Sequence, residues 1–278
     1  MTTKNITSGL YIVSTPIGNL KDITYRAIEV LSSSDTILCE DTRISLKLLN
    51  AYNIKSKLIS LHEYNERGKI DYILTLLSQG RIISLISDAG TPLISDPGYQ
   101  LVKNCINSGY YVTSIPGACS VITALTLSTF PTDTFFFGGF LPNKSSARIK
   151  LLNNIKSIQS TLILFETANR LITSLQDIAQ IFPNNQIAII QEITKLFEKV
   201  TIETPHNLID AINTQKIILK GEIVLLISNS TNITLPNQTQ FDINDPTLTK
   251  KQISKILSKQ LQVPASDLYK ILCHTKNS

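Results

Sequence analysis

The chain is short of the residues that most often announce chemistry. Its 278 residues include three histidines and four cysteines. No two cysteines form a C-x-x-C pair, and Cys273-His274 stands too isolated to bind a metal. Cys39, Cys105, Cys119 and Cys273 are too scattered for a disulfide framework in a chain this long, so they read as reduced, buried or incidental thiols. No G-x-G-x-x-G and no Walker sequence occurs, which argues against dinucleotides and nucleoside triphosphates. No apolar run approaches a membrane span, and "MTTKNITSGLYIVSTP" has no apolar signal core or small-residue cleavage pattern. The expectation is a soluble cytoplasmic protein with no membrane partner and no metal.

What is present is a globular composition, 42% hydrophobic and 17% charged, long enough for two domains. The net charge of +5 is unevenly placed. From Asp245 onward six lysines face only Asp245 and Asp267, so the tail carries +4 and the body is near neutral. A basic segment on a neutral body points to a polyanionic partner or to a solvated tail helix.

Short apolar runs alternate with helical patterns. Strands are expected at 10–17, 36–40, 57–62, 81–87 and 111–116, with a helix over 23–31 capped by Asp22. Unbroken Ile, Leu and Val imply strands buried on both faces, hence a mostly parallel sheet covered by helices. A second series follows, with strands at 132–140, 161–167, 186–193, 195–204 and 221–228 and helices near 145–158, 170–181 and 206–213. The closeness of 186–193 and 195–204 predicts an antiparallel pair and a mixed sheet. The expected organisation is an N-terminal α/β domain over 1–132, a second over 133–230, a linker over 231–245 and a basic helix-turn-helix-like tail over 246–278.

In an open parallel sheet, ligands collect beyond the carboxyl ends of the strands. All five first-domain loops at that edge are crowded with Gly, Pro or charge: "STPIGNLKD", "EDTR", "HEYNERG", "SDAGTPLISDPG" and "PGACS". Asp96 followed by Pro97 reads as a helix cap with proline in the first turn. Asp88 ends a buried strand with no local cap to make, so it reads as functional. Loops carrying Asp41, Asp88 and Asp96 suit a phosphate-free ligand with cationic groups and ribose hydroxyls, such as S-adenosylmethionine.

The motifs "LYIVSTPIGNLKDIT", "CEDTR", "HEYNE", "LISDAGTPLISDPG" and "SIPGACSVITAL", with "GGFLPNKSSAR", "LFETANRL", "EITKLFE" and "KGEIVLLI", resemble the tetrapyrrole methylase superfamily, and within it the branch that methylates ribosomal RNA. The resemblance spans about residues 10–228, and the tail resembles that branch's helical extension. It implies two α/β domains of the class III methyltransferase type, S-adenosylmethionine in the cleft between them, and a homodimer. It also implies 2′-O-methylation of a cytidine ribose in the decoding centre, with ribosomal RNA of the small subunit as partner. Carried over by motif, the cofactor loops are Pro16 to Gly18, Asp88-Ala89-Gly90-Thr91-Pro92, and Pro116-Gly117 through Ser120. Asn169 and Gln191 stand where His and Arg are usual in that branch.

A ribose hydroxyl attacking a sulfonium methyl benefits from a general base. Asp41, His62, Glu63, Glu166 and Glu192 are the candidates, with Asp41 and Arg43 ranked first. His62 reads more simply as a cap or salt-bridge partner. Lys144, Arg148 and Lys195, with Lys251, Lys255 and Lys259 of the tail, are the expected RNA contacts. Two other readings remain open. One is a methyltransferase of this fold acting on a corrin precursor or a protein side chain, and the other is a non-catalytic RNA-binding protein.

Overall fold

A computed structural model describes residues 6–229, and beyond them 249–251, 253, 254, 258, 265, 266 and 269. The chain begins with β1 (Gly9–Val13), α1 (Tyr25–Ser33), β2 (Thr36–Cys39), α2 (Thr42–Ala51), β3 (Lys57–Ser60), α3 (Glu66–Ser78), β4 (Ile82–Leu85), α4 (Tyr99–Asn107), β5 (Val112–Ile115) and α5 (Ser120–Leu127). The five strands pair in parallel in the order β3-β2-β4-β1-β5. Successive residues of β1 point to opposite faces. Tyr11 and Val13 meet Ala27, Val30 and Leu31 of α1 and Leu49 of α2. Leu10 instead meets Ile73 and Leu77 of α3 and Leu101 and Cys105 of α4. Both faces are therefore covered, as the unbroken apolar runs required.

The second series is β6 (Phe135–Phe140), α6 (Ser145–Ile155), β7 (Thr161–Thr167), α7 (Leu171–Ile181), β8 (Ile187–Gln191), β9 (Lys199–Glu203), α8 (Pro205–Asn213) and β10 (Glu222–Ser228). Its sheet runs β6-β7-β10-β8-β9, with β6 parallel to β7 and every other pair antiparallel. Leu162, Leu164, Ile187, Ile189 and Leu225 face α6, α7 and α8. Ile163, Ala188, Ile190, Val224 and Leu226 face Val121, Ala124 and Leu125 of α5. Helix α5 thus follows a strand of the first sheet but packs on the second. Contacts gather residues up to Ser230 into one unit and Thr231–Ser278 into another.

Two expected helix starts are displaced. Asp22 closes a single 3-10 turn, Leu20–Asp22, and α1 is capped by Thr24, whose hydroxyl accepts from the Ala27 N–H at 3.1 Å. Asp96 and Pro97 do not begin α4, which starts at Tyr99 with Gly98 in the N-cap position at φ 119°. Glu66 of α3, itself buried, accepts from the Leu101 N–H at 2.8 Å and satisfies the first turn of α4. Asp96 is thereby released from capping.

In the second unit, Lys250, Lys251, Ile253, Ser254 and Ser258 are helical, as are Ala265, Ser266 and Tyr269. Lys250 and Lys251 are exposed. The expected linker over 231–245 and the residues Lys255 and Lys259 lie outside the described residues.

Candidate active site

Three first-sheet loops are tied to one another before any ligand is considered. Thr15 and Gly90 exchange backbone hydrogen bonds of 2.8 and 3.1 Å. The Ser14 and Thr91 hydroxyls lie 2.9 Å apart, and Thr91 Oγ1 donates to the Ala118 carbonyl at 3.1 Å. The Thr15 hydroxyl donates to the Ser87 carbonyl. Gly90 sits at φ +82°, where a side chain would be strained, and a Cβ there would press on Ile17 at 3.3 Å. Further along the β4–α4 loop, Leu93 (φ 74°) and Ser95 (φ 65°) are non-glycine residues in left-handed conformation. Such strain persists only where surrounding structure holds it, and it concentrates at working sites.

These loops face the second sheet across a cleft of about 380 Å³. The apolar part of its lining includes Ile17, Ile94, Phe140, Phe165, Ile193 and Val224. Its charged lining residues are Asp88, Asp96, Glu166 and Glu222, and among the described residues no lysine or arginine lines it. Burial first, and then the charges of Glu40 and Asp88, lift the Asp96 carboxyl to about 6 despite the Ser87 hydroxyl beside it. Burial likewise raises Asp88, although the Asp41 N–H donates to its Oδ1 at 3.1 Å. Glu166 and Glu222 have cationic partners outside the lining, whereas Asp88 and Asp96 form no ion pair among the described residues. A cavity with apolar walls and two such carboxylates fits a cationic, phosphate-free ligand and disfavours phosphate.

A family model for tetrapyrrole (corrin/porphyrin) methylases matches residues 9–208. The ribosomal RNA small subunit methyltransferase I of Rickettsia prowazekii (strain Madrid E) is 49% identical over 226 residues, covering 81% of this chain and 80% of that one. The protein of the same name from Halalkalibacterium halodurans is 38% identical over 273 residues, 94% of this chain and 93% of its own. The chain belongs to the ribosomal RNA small subunit methyltransferase I family of tetrapyrrole methylases. Solved structures agree at the level of fold. Diphthine synthase superposes with a TM-score of 0.61 at 13% identity, covering 79% of this chain and 89% of its own. A uroporphyrin-III-C-methyltransferase from Thermus thermophilus gives 0.56 at 16% identity, covering 81% and 96%.

Within this family member, the expected cofactor residues divide. Asp88, Ala89, Gly90, Thr91 and Ser120 line the cleft. Pro16, Gly18, Pro92, Pro116 and Gly117 are not among its lining residues. Gly117 lets its loop lie against Ser14, whose Cβ would be 2.9 Å from an added Cβ. Gly18 lets the β1–α1 loop reach the second sheet. A Cβ there would meet Lys195 at 2.6 Å and the Ile193 carbonyl at 2.7 Å, and the neighbouring Asn19 N–H donates to Thr194 Oγ1 at 3.1 Å.

The expected catalytic residues are largely satisfied by their own neighbours. Asp41 caps α2, accepting from the Arg43 N–H at 2.8 Å, and its carboxylate pairs with the Arg43 guanidinium at 2.5 Å. That guanidinium, with the backbone N–H, holds the Asp41 carboxyl down at about 2. A base so weak takes few protons near neutrality. Glu166 lines the cleft, but its oxygens accept from the Thr167 N–H at 2.7 Å and the Ser174 hydroxyl at 2.5 Å, and they pair with Arg170. His62 is engaged in its own turn: its backbone N–H donates to Asn65 Oδ1 at 2.9 Å, and its ring Nε2 lies 2.8 Å from Asn65 Nδ2.

Arg148 corrects the expectation of an RNA contact. Its side chain is 3% exposed and pairs with Asp177 at 2.6 Å, and it also donates to the Pro142 and Asn143 carbonyls. Burying a guanidinium requires such a partner set, and none of it is left for phosphate. Lys195 is half-buried and bridges Glu192 and Glu222 at 3.1 and 3.2 Å. Lys144 is exposed at the start of α6. Asn169 is exposed, and Gln191 is buried with its Nε2 donating to the Ile218 carbonyl at 3.2 Å.

Ile17, inside the expected Pro16 to Gly18 loop, lines the cleft, whereas sequence reasoning missed Asp96 as a lining residue, together with Phe140, Phe165, Ile193 and Glu222. Two signals existed. "SDAGTPLISDPG" repeats Ser-Asp at an eight-residue interval, and "GGFLPNKSSAR", "LFETANRL" and "KGEIVLLI" belong to the same motif set as the cofactor loops.

Proposed function

We propose that this protein transfers a methyl group from S-adenosylmethionine to the ribose 2′-hydroxyl of a cytidine in the decoding centre of small-subunit ribosomal RNA. The observation that carries the donor half is the cleft itself, lined by carboxylates and apolar side chains with no lysine or arginine among its described residues. The acceptor half is supported by relatives named for ribosomal RNA at 38–49% identity over most of the chain.

When bound, the donor supplies an activated methyl group on a sulfonium. The chain's own residues bind, orient and desolvate. Ile17, Phe140, Phe165 and Val224 offer apolar walls to an adenine, and Asp96 offers a carboxylate to a cationic group or to ribose hydroxyls. Asp41 and Arg43 act as positioning residues, because the Asp41 N–H fixes Asp88 at the cleft wall. Asp88, raised by burial and lining the cleft, is the carboxylate this reading assigns to receiving the proton of an attacking hydroxyl. Phosphate contacts fall to exposed cations such as Lys144 and Lys251.

The test uses labelled methyl donor and small subunits from a strain lacking the modification. Label should enter the RNA as a ribose methyl, and a corrinoid precursor should stay unlabelled. Label in the corrinoid and none in RNA would replace this reading with the other same-fold chemistry. We also expect two copies of the chain to associate in solution, which analytical ultracentrifugation reads directly.

A further inference from the structure

The donor cleft has a neighbour. A second cavity, about 640 Å³, opens at the carboxyl edge of the first sheet, where Glu40 follows β2, the β3–α3 loop supplies Glu63 and Tyr64, and α4 begins. Its volume falls in the range of small-ligand sites, about 300–1,000 Å³. It shares Ser95 and Asp96 with the donor cleft, so an occupant of one space meets an occupant of the other at that wall.

The lining is unlike that of a phosphate site. Glu40, Glu63, Glu66 and Asp96 line it with a single guanidinium, Arg67, and the Glu66 carboxylate is already committed to the Leu101 N–H. It is also unlike a buried apolar pocket. Tyr64 and Tyr99 line it with 94% and 61% of their surface bare. Both are held on fixed backbone. The Asn65–His62 hydrogen bonds close the turn that carries Tyr64, and Glu66 anchors the first turn of α4, where Tyr99 stands. Exposed aromatic rings on rigid supports are stacking platforms for flat heterocycles. Carboxylates beside them accept hydrogen bonds from an exocyclic amino group and repel phosphate.

We infer that this cavity seats the base of the acceptor nucleoside, stacked on Tyr64 and Tyr99 with its exocyclic amino group toward Glu63 and Glu40, while the flanking phosphates stay outside. This rests on the RNA reading above. It assigns the "HEYNE" loop, which the donor cleft does not use, to choosing the acceptor.

The experiment measures methyl transfer to unmodified small subunits at saturating donor for wild type, Tyr64→Ala, Tyr99→Ala, Tyr99→Phe and Glu63→Gln. Each alanine variant should lower kcat/KM by about tenfold, mostly through KM, as expected for a lost base–aromatic stack. Tyr99→Phe should stay within about threefold, because the ring is kept. Donor affinity by equilibrium dialysis and the melting temperature should match wild type in all four. Subunits reconstituted with uridine at the acceptor position should lose about tenfold with wild type, and Glu63→Gln should narrow that gap. Alanine variants within about twofold of an active wild type would overturn the inference, and so would a matching loss of donor affinity. Wild type that transfers nothing to subunits is a different failure, since it removes the RNA reading and this inference with it.

Discussion

Asp41 and Asp96 sit at the same edge of the same sheet, yet their electrostatic situations are opposite. Asp41 lies on the rim with an arginine two residues away and a helix N-terminus beneath it, and its carboxyl is held at about 2. Asp96 is half-buried between two cavities with Glu40 and Asp88 for neighbours, and its carboxyl is pushed up to about 6. One charge is neutralised by its own chain. The other has a hydroxyl beside it and forms no ion pair among the described residues, with two carboxylates as the charges that act on it, an electrostatic imbalance that a positively charged ligand would relieve. A satisfied carboxylate is architecture, whereas an unsatisfied one at a cavity wall is the binding group that the proposed function calls for.

The largest effect that would break this contrast concerns donor affinity. Asp96→Asn should weaken S-adenosylmethionine binding about 10- to 100-fold, the loss of a hydrogen bond to a charged group worth about 1.5–3 kcal/mol. Titration calorimetry on the full chain reads it, and an unchanged affinity would place the donor's cation elsewhere. Next in size is a stability effect. Glu66→Ala leaves the buried Leu101 N–H without its partner and should cost about 1–3 kcal/mol in urea unfolding. Asp96→Ala should cost no helix cap, since Asp96 makes none. Equal losses in the two variants would return Asp96 to the capping role that its sequence position first implies.

Much of this arrangement is legible in the sequence, and what escapes has physical causes. The ten strands of the described residues and the antiparallel β8–β9 pair follow from apolar runs and their spacing. The loop crowding along one sheet edge finds Asp88, Gly90 and Ser120 in the cleft lining. Asp96 is misread because Asp-Pro has the local signature of a helix start. The actual cap of α4 comes from Glu66, 35 positions away, which no local pattern reveals. Arg148 is misread for the same reason. A basic residue near the start of a helix looks solvated until Asp177, 29 positions on, is seen to bury it. Apolar lining residues such as Phe165 and Val224 are indistinguishable in sequence from the core strands that carry them. Local signals place elements, but long-range pairing decides which charges are free.

The pH dependence sharpens the comparison further. In the ligand-free protein Asp96 keeps its proton up to about 6, whereas an unfolded chain releases it near 3.8. Between those values the folded state binds more protons than the unfolded state, so this group's contribution to stability falls as pH rises across that window. A bound cation favours the ionised carboxylate, so donor affinity should rise as pH climbs through about 6 and then level off. The raised Asp88 and Glu40 carboxyls add to the same trend. Affinity measured from pH 5 to 8 should lose most of its slope in Asp96→Asn, and a slope that persists would assign the titration to Asp88 or Glu40.

The smallest effect belongs to the rim. For Asp41 the linkage runs the other way: its carboxyl is depressed, so its contribution is present above about 3.8 and is lost as pH falls toward 2. Near neutrality Asp41→Asn keeps a side-chain cap for α2 and removes only an exposed pair, because the Arg43 side chain is 86% exposed. Donor affinity should therefore stay within about twofold of wild type, and the melting temperature should barely move. Asp41→Ala also removes the cap and should lower the melting temperature measurably while donor affinity holds. Methyl transfer separates the two roles open to this pair. A positioning residue acting through its backbone N–H on Asp88 tolerates Asp41→Asn, since the N–H remains. A proton-accepting carboxylate does not. Loss of turnover in Asp41→Asn at saturating donor, with affinity intact, would make the rim carboxylate the base and end the contrast between the two aspartates.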